Sequence, residues 1–303
     1  MAAFATLRRL AAGATLLWAS CAHALSFTFT INDPTSSFGS YYGLIRQDLS
    51  AAGEDWGRHL AADRTVNVRI GFVDIPTADG RSTFAQTVRE TTSFIIAAQG
   101  VGWQLSTNAP TSNQIDAEIR LGASYLPLLH FSAQGPLPPD RIDARSVLRH
   151  ELGHVIGMNT YRDAQTQVLP RSSDGREFIT TFDEHMIFDG GRAYFTGLNA
   201  TQAYGGRVPL TDGSIAHLGN RFGPGADLVD DLMNGVHTRF GRAYEISRLD
   251  VAIMCDVGLP MVGCIGSAQA PAPAPYALLT VAAVGAAIAR RRTANPGSTA
   301  RRR

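Results

Sequence analysis

The stretch that most constrains this chain is residues 143–158, because it holds two histidines and a glutamate at a spacing that only a helix can use. His150-Glu151-Leu152-Gly153-His154 reads H-E-x-x-H. Residues four apart share one helix face about one turn apart, so both imidazoles can reach a single metal ion. Glu151 projects beside them and can take a proton from a metal-bound water. The surroundings predict a helix: Val147, Leu148, Leu152, Val155 and Ile156 form an apolar stripe, and Asp143 or Ser146 can cap its start. With 8 His and 7 Glu in 303 residues, one chance match is expected in about two hundred such chains. A plain amphipathic core helix is the competing reading, but it leaves two ionisable groups on a buried face without a reason.

Charge narrows the function classes. All 27 basic residues are arginine, two of them before residue 25 and six after residue 289. The stretch between carries 19 Arg against all 26 acidic residues, a net charge of −7. A body that acidic does not fit a nucleic-acid binder.

Both ends differ from the body. Residues 1–24 have the pattern of a secretory signal: Arg8 and Arg9, a mostly apolar run from Leu10 to Trp18, and Ala22-His23-Ala24 as the cleavage site. Export implies an oxidising compartment, where Cys255 and Cys264 can form a small disulfide or stay as free thiols. After the body (25–265), residues 266–275 form a Pro/Ala linker favouring polyproline II. Residues 276–292 follow as a short apolar segment closed by Arg290-Arg291-Arg292, and 293–303 as a basic tail. The uncharged run Tyr276–Ala289 spans only about 21 Å as a helix, short for a bilayer core of about 30 Å. The arginines would hold that end on the cytoplasmic side.

Within the body, strands are predicted at Ser26–Ile31, Val66–Val73, Asp116–Leu121 and Tyr125–Phe131, from apolar alternation. Helices are predicted at Tyr42–Leu60, with an ambiguous one at Phe84–Ala98, then the His150 helix and Ile246–Val257, which Ser247 can cap. Residues 159–215 read as an extended loop region with short strands near Ala200–Leu210. This order gives an α+β class.

His150 to Met158, His-Glu-Leu-Gly-His-Val-Ile-Gly-Met, resembles the metzincin group of zinc peptidases, including Gly157 where the chain turns after the helix. That group usually places a third His three residues beyond the Gly; Thr160 stands there instead. In leishmanolysin-like members a long insertion delays the third His, and this chain is similar: His217 is followed by Asp231-Leu232-Met233-Asn234-Gly235, which resembles the methionine turn. The resemblance implies a zincin/metzincin-like mixed sheet with a central zinc-ligand helix and an irregular C-terminal subdomain. It implies Zn2+ held by His150, His154 and His217, with Met233 as an apolar floor. Glu184 or His185 is the competing third ligand, a Glu suiting the thermolysin-like pattern, while His130 and His237 read as structural or surface residues. The body and tail together are similar to exported bacterial metallopeptidases with a PEP-CTERM-like sorting tail, although Ala272-Pro273-Ala274-Pro275 replaces Pro-Glu-Pro. The expected function is a secreted endopeptidase that hydrolyses peptide bonds with a zinc-activated water and Glu151 as general base. Tyr244 is a candidate for oxyanion stabilisation. Expected partners are a protein or peptide substrate, a membrane met through the C-terminal segment, and a processing protease, in the bacterial cell envelope or outside it. The alternative is a non-catalytic surface or matrix protein that keeps the fold; intact Glu151 argues against it, because metal binding alone does not need it.

Overall fold

The computed structural model describes residues 25–62, 64–73, 116–171, 175, 177–220, 227–235 and 239–264, together with the backbone of 85–88. The signal-like segment, most of Phe84–Ala98, His237, the linker and the tail lie outside these residues. The chain divides at Val262/Gly263, and the architecture below is that of the first part.

A first sheet has strand order β1-β2-β4-β3, formed by β1 (Ser26–Asn32), β2 (Thr65–Val73), β3 (Ala85–Val88) and β4 (Ala117–Gly122). β1, β2 and β4 run parallel, whereas β3 is antiparallel to β4, with Ala85 opposite Leu121 and Val88 opposite Glu118. Parallel neighbours need a crossover, and α1 (Tyr42–Gly57) supplies the one between β1 and β2. Its inward stripe of Ile45, Leu49, Ala52 and Trp56 is fully buried, the helical spacing that one apolar face requires. Gly53 lets α1 close on β1: a Cβ there would stand 2.8 Å from the Phe27 ring. α1 also packs on α2 (Ala144–Ile156), the His150 helix, through Trp56 among others.

The region expected to be an extended loop is instead a second, antiparallel sheet of order β10-β9-β8-β7. β7 (Met186–Asp189) and β8 (Arg192–Phe195) form a hairpin through Gly190 and Gly191, which take φ of +58° and +79°. Positive φ at both central residues is what a tight hairpin turn requires and glycine permits. β9 (Val208–Thr211) and β10 (Ser214–Leu218) complete the sheet. Before β7 lies a single turn, α3 (Thr181–Glu184). Between β8 and β9 lies α4 (Leu198–Tyr204), where a short strand was expected. The Asp256 carboxylate caps α4 from outside, accepting from Asn199 N at 2.9 Å and Ala200 N at 2.8 Å. Asp256 ends α5 (Arg248–Asp256), whose own start is capped by Ser247, accepting from Asp250 N.

Two further expectations are corrected. Tyr125–Phe131 is mostly a 3-10 turn over Ala123–Leu128 with Pro127 inside it, leaving only β5 (Leu129–His130), which pairs with β6 (Ile142–Asp143). A proline removes a ladder donor, so a full strand cannot form there. Ala85–Val88, expected to begin a helix, is the edge strand β3, because it pairs with β4. The α1 helix also stops earlier than expected, and Leu60 instead bridges to Met261. Cys255 and Cys264 are both disulfide-bonded. The whole is a mixed α+β fold.

Candidate metal centre

α2 starts where the sequence says it should: Asp143 is its N-cap and accepts from Ser146 N at 2.8 Å. Leu148, Leu152 and Ile156 are fully buried on one face. The helix is also clamped by charge. Arg149 is buried and donates through Nε at 2.8 Å and through NH2 to the Asp55 carboxylate of α1. Arg145 reaches the same carboxylate through Nε at 2.9 Å and NH2 at 2.7 Å. Trp56 Nε1 adds a bond to the Arg149 carbonyl at 2.8 Å. The turn before His150 is therefore tied to α1 at three points.

His150 and His154 leave one face of α2, and β10 carries His217 to the same place. Their candidate ligand atoms all lie within 4.8 Å of one another. His154 Nε2 stands 3.1 Å from His150 Nε2 and 3.0 Å from His217 Nε2. Two Nε2 atoms on a tetrahedral zinc, each about 2.0–2.1 Å from the metal, stand about 3.3 Å apart, so these separations suit a shared ion.

The second nitrogen of each ring decides what the cluster is for. His150 Nδ1–H donates to the Leu232 carbonyl at 2.7 Å and His154 Nδ1–H to the Met158 carbonyl at 2.5 Å. His217 Nδ1–H meets Ser214 Oγ at 2.8 Å and the Ser214 carbonyl at 3.2 Å. A neutral imidazole that donates from Nδ1 keeps a lone pair on Nε2. Three lone pairs then converge at about 3 Å, an arrangement that repels unless a cation fills it. The outer hydrogen bonds are the kind that orient metal-ligating histidines. Burial, with His150 beside it, pushes His217 down to about 3 even though part of the residue reaches the surface, which keeps the ring neutral, with no proton on Nε2, across the physiological range. Glu151, next in the helix, is buried as well.

A five-residue turn, Asp231–Gly235, joins these parts. Its Leu232 carbonyl holds His150, and the Leu218 amide donates to the Met233 carbonyl at 2.9 Å. The Gly235 amide donates back to the Leu218 carbonyl at 3.1 Å, next to His217. Met233 is fully buried and packs under α2 at Gly153, where a Cβ would stand 2.6 Å from its sulfur. At Gly235 a Cβ would stand 2.6 Å from His217 Cβ and 2.9 Å from Thr211 Oγ1. Both glycines are thus required by close approach. Gly157 serves the same end: its φ is −173°, and a Cβ would stand 2.9 Å from Met254 Sδ of α5. Asp231 accepts from Met233 N at 3.0 Å. Burial and the neighbouring Asp231 push the Asp250 carboxyl well above the usual carboxylate range.

Thr160, where a third His was looked for, donates instead to Asp183 Oδ1. Asp183 Oδ2 also accepts from Tyr161 N at 3.2 Å and Thr180 Oγ1 at 2.8 Å. The competing ligands are not brought to the cluster: Glu184 is exposed, and His185 Nε2 meets the Asp256 carbonyl at 2.8 Å. His130 Nε2 meets the Gly135 carbonyl at 2.9 Å. Tyr244 is buried at the start of α2, its amide donating to Ser146 Oγ at 2.7 Å and its hydroxyl accepting from Arg239 N at 3.2 Å; none of its hydrogen bonds leads to the histidines. Residue-by-residue reading missed the Leu232 carbonyl, Gly235 and the Asp55 clamp; only the run Asp231-Leu232-Met233-Asn234-Gly235 offered a signal for the first two.

Compared with protein-family models, curated proteins and solved structures, the chain matches none.

Proposed function

We propose that the chain is an exported zinc-dependent endopeptidase of the metzincin type. The observation that carries this is the convergence of three imidazole Nε2 atoms whose Nδ1 atoms are all engaged, with Glu151 on the adjoining turn of the same helix. Three neutral nitrogens leaving a fourth position open are the donor set of a catalytic zinc site. A zinc ion held there would supply Lewis acidity, lowering the pKa of water and polarising a carbonyl. His150, His154 and His217 hold the site; the Leu232, Met158 and Ser214 carbonyls fix their tautomers. The Glu151 carboxylate accepts a proton from the attacking water and returns it to the leaving amine nitrogen. Met233 and Trp56 close the floor under α2 and exclude solvent from that side. The parallel first sheet with its antiparallel edge strand, backed by α1 and α2, supports the zincin-like reading of the fold.

Glu151→Gln tests this directly. The three ligands remain, so zinc content should equal that of the wild type. Hydrolysis of a denatured protein substrate should fall by 10²-fold or more, the low end of general-base contributions. Proteolysis by Glu151→Gln at the wild-type rate would refute the assignment. Zinc bound in wild type without any hydrolysis would favour a non-catalytic surface protein.

A further inference from the structure

A second concave site lies on the sheet that carries His217. It is lined by Arg192, Tyr194, Arg207 and Pro209 on one side and by Asn220, Tyr204 and Asp227 on the other, and encloses about 190 Å³. Sites for drug-sized ligands run from about 300 Å³ upward, so this one suits a single side chain. Its polar atoms are not equivalent. Tyr204 donates to Asp227 Oδ2 at 2.5 Å, and burial together with Asp227 pushes the phenol up to about 12, so it stays a donor. The other Asp227 oxygen accepts from Leu228 N at 3.0 Å. Each oxygen of the carboxylate thus already has one donor from the wall. Arg207 pairs with Asp189 at 2.9 Å and lies over the Tyr194 ring, 4.9 Å from its centroid. Asn220 accepts from Asp227 N at 3.2 Å through its Oδ1, which turns its NH2 group the other way. Among the described residues, the Arg192 guanidinium makes no ion pair or hydrogen bond. What the pocket still offers a ligand is donors: a full guanidinium fork and an amide NH2.

A fork of N–H groups matches a carboxylate. Asp227 in the wall disfavours a doubly charged phosphate and leaves a singly charged carboxylate as the better fit. The pocket is also close to the metal centre in register. Its lining residue Leu210 is opposite Leu218, the residue after His217. Pro209 lines it too, and two residues on along β9, Thr211 meets Gly235 beside His217. One strand spacing is about 4.8 Å and an extended peptide rises about 3.3 Å per residue, which puts the pocket roughly two to four residues from a bond held at the histidines.

We propose that this pocket is a carboxylate subsite of the same substrate-binding surface, with Arg192 as its specificity-determining residue. It takes an acidic side chain, or the C-terminal carboxylate, of a bound peptide. This rests on the peptidase reading above.

The test uses zinc-loaded protein and two peptide sets. In one, a single Glu or Gln is moved through positions two to four residues on either side of the cleaved bond; in the other, the C-terminus is free or amidated. A Glu-to-Gln or acid-to-amide ratio in kcat/KM of roughly two- to fivefold is expected at one position, the size of one exposed charged contact. Arg192→Gln should bring that ratio to near one, and Arg192→Lys, which keeps the charge but loses the fork, should retain part of it. Which peptide set shows the ratio identifies the source of the carboxylate. The same ratios are read as affinities by fluorescence anisotropy on zinc-loaded Glu151→Gln protein, alone and combined with Arg192→Gln. If no peptide is cleaved, the binding ratios still decide the pocket, and the failure belongs to the peptidase reading. Cleavage or binding with no carboxylate preference in either set, or a preference that survives Arg192→Gln, overturns the inference.

Discussion

Asp55→Ala should be among the most damaging substitutions outside the metal ligands, although Asp55 touches none of them. Its side chain is 3% exposed and accepts from Arg149, whose own side chain is 2% exposed, and from Arg145. Removing it leaves the Arg149 guanidinium in the interior with only the Tyr244 carbonyl and the outward-lying Glu245, whose side chain is 76% exposed. Breaking a buried pair by deleting one partner costs about 3–5 kcal/mol. For a domain of this size each kcal/mol is about 2–4 °C in Tm, so the midpoint should fall by about 6–20 °C. The effect has a pH signature. Burial alone would raise Asp55, but the hydrogen bonds from Arg145 and Arg149 outweigh it and hold the carboxyl below the usual carboxylate range. A depressed folded-state pKa contributes stability above the unfolded value of about 3.9 and loses it as pH falls through the folded value. The wild-type and mutant melting curves, followed by circular dichroism, should therefore lie far apart at pH 7 and converge below about pH 4. The double variant Asp55→Leu/Arg149→Met should regain most of the loss, because apolar replacements of a buried pair are often neutral. A single Asp55→Ala variant melting within about 2 °C of wild type at pH 7 would refute the reasoning, since the lower bound from the pair is about 6 °C.

Other expectations follow from the metal centre. His217→Ala should lower zinc content in dialysed protein as much as His154→Ala, while His185→Ala, whose ring only meets the Asp256 carbonyl, should leave it unchanged; equal zinc in wild type and His217→Ala would remove His217 from the site. Gly235→Ala drives a methyl group to within 2.6 Å of His217 Cβ and should weaken zinc binding by about 10- to 100-fold, the range seen when second-layer groups are disturbed; competition with a chromogenic chelator measures it, and unaltered affinity would show that the turn does not position His217. Residues 266–303 should be removed in the native envelope, since the apolar run is shorter than the roughly 20 residues a spanning helix needs; intact-mass spectrometry finding Arg303 on membrane-embedded protein would contradict this.

The helix at the centre of the site was legible from its own residues, because spacing, cap and apolar stripe are all local to 143–158. The apolar spacing of Ile246–Val257 and the Ser247 cap made α5 legible in the same way. The third histidine was not local: His217 lies 63 positions from His154, and only the likeness of Asp231–Gly235 to a methionine turn pointed to it. The second sheet escaped because its strands are four or five residues long, too short for alternation to stand out. Its turns did carry a signal. Asp189-Gly190-Gly191-Arg192 and Asp212-Gly213 are hairpin dipeptides, and weighing them above the scarcity of apolar runs would have recovered β7 to β10. Pro127 was a similar signal against a strand at Tyr125–Phe131. The Asp55–Arg149 clamp joins residues 94 positions apart, and no periodicity announces such a pair.

Thr160, where the resemblance looks for a third His, is committed elsewhere in the fold. Just beyond α2, its hydroxyl and the Tyr161 amide are committed to Asp183, and Thr180 Oγ1 donates to both the Asn159 carbonyl and Asp183. The chain leaving the helix is therefore fastened to α3, which leads into the second sheet. The sheet returns the missing imidazole on β10, where Leu218 is bonded on both sides of its peptide to the Asp231–Gly235 turn. That turn also holds His150 and fills the space under Gly153. Two of the three histidines are thus set by one helix clamped to α1 and the third by a strand, and a single turn bonds to both parts. A zinc ion bound at such a site would be linked to folding, because it would offset the repulsion among the three Nε2 lone pairs. Gly235 is bonded to Leu218 and closely approaches His217 itself, and that is why a methyl group there is expected to act on metal binding more than on the fold.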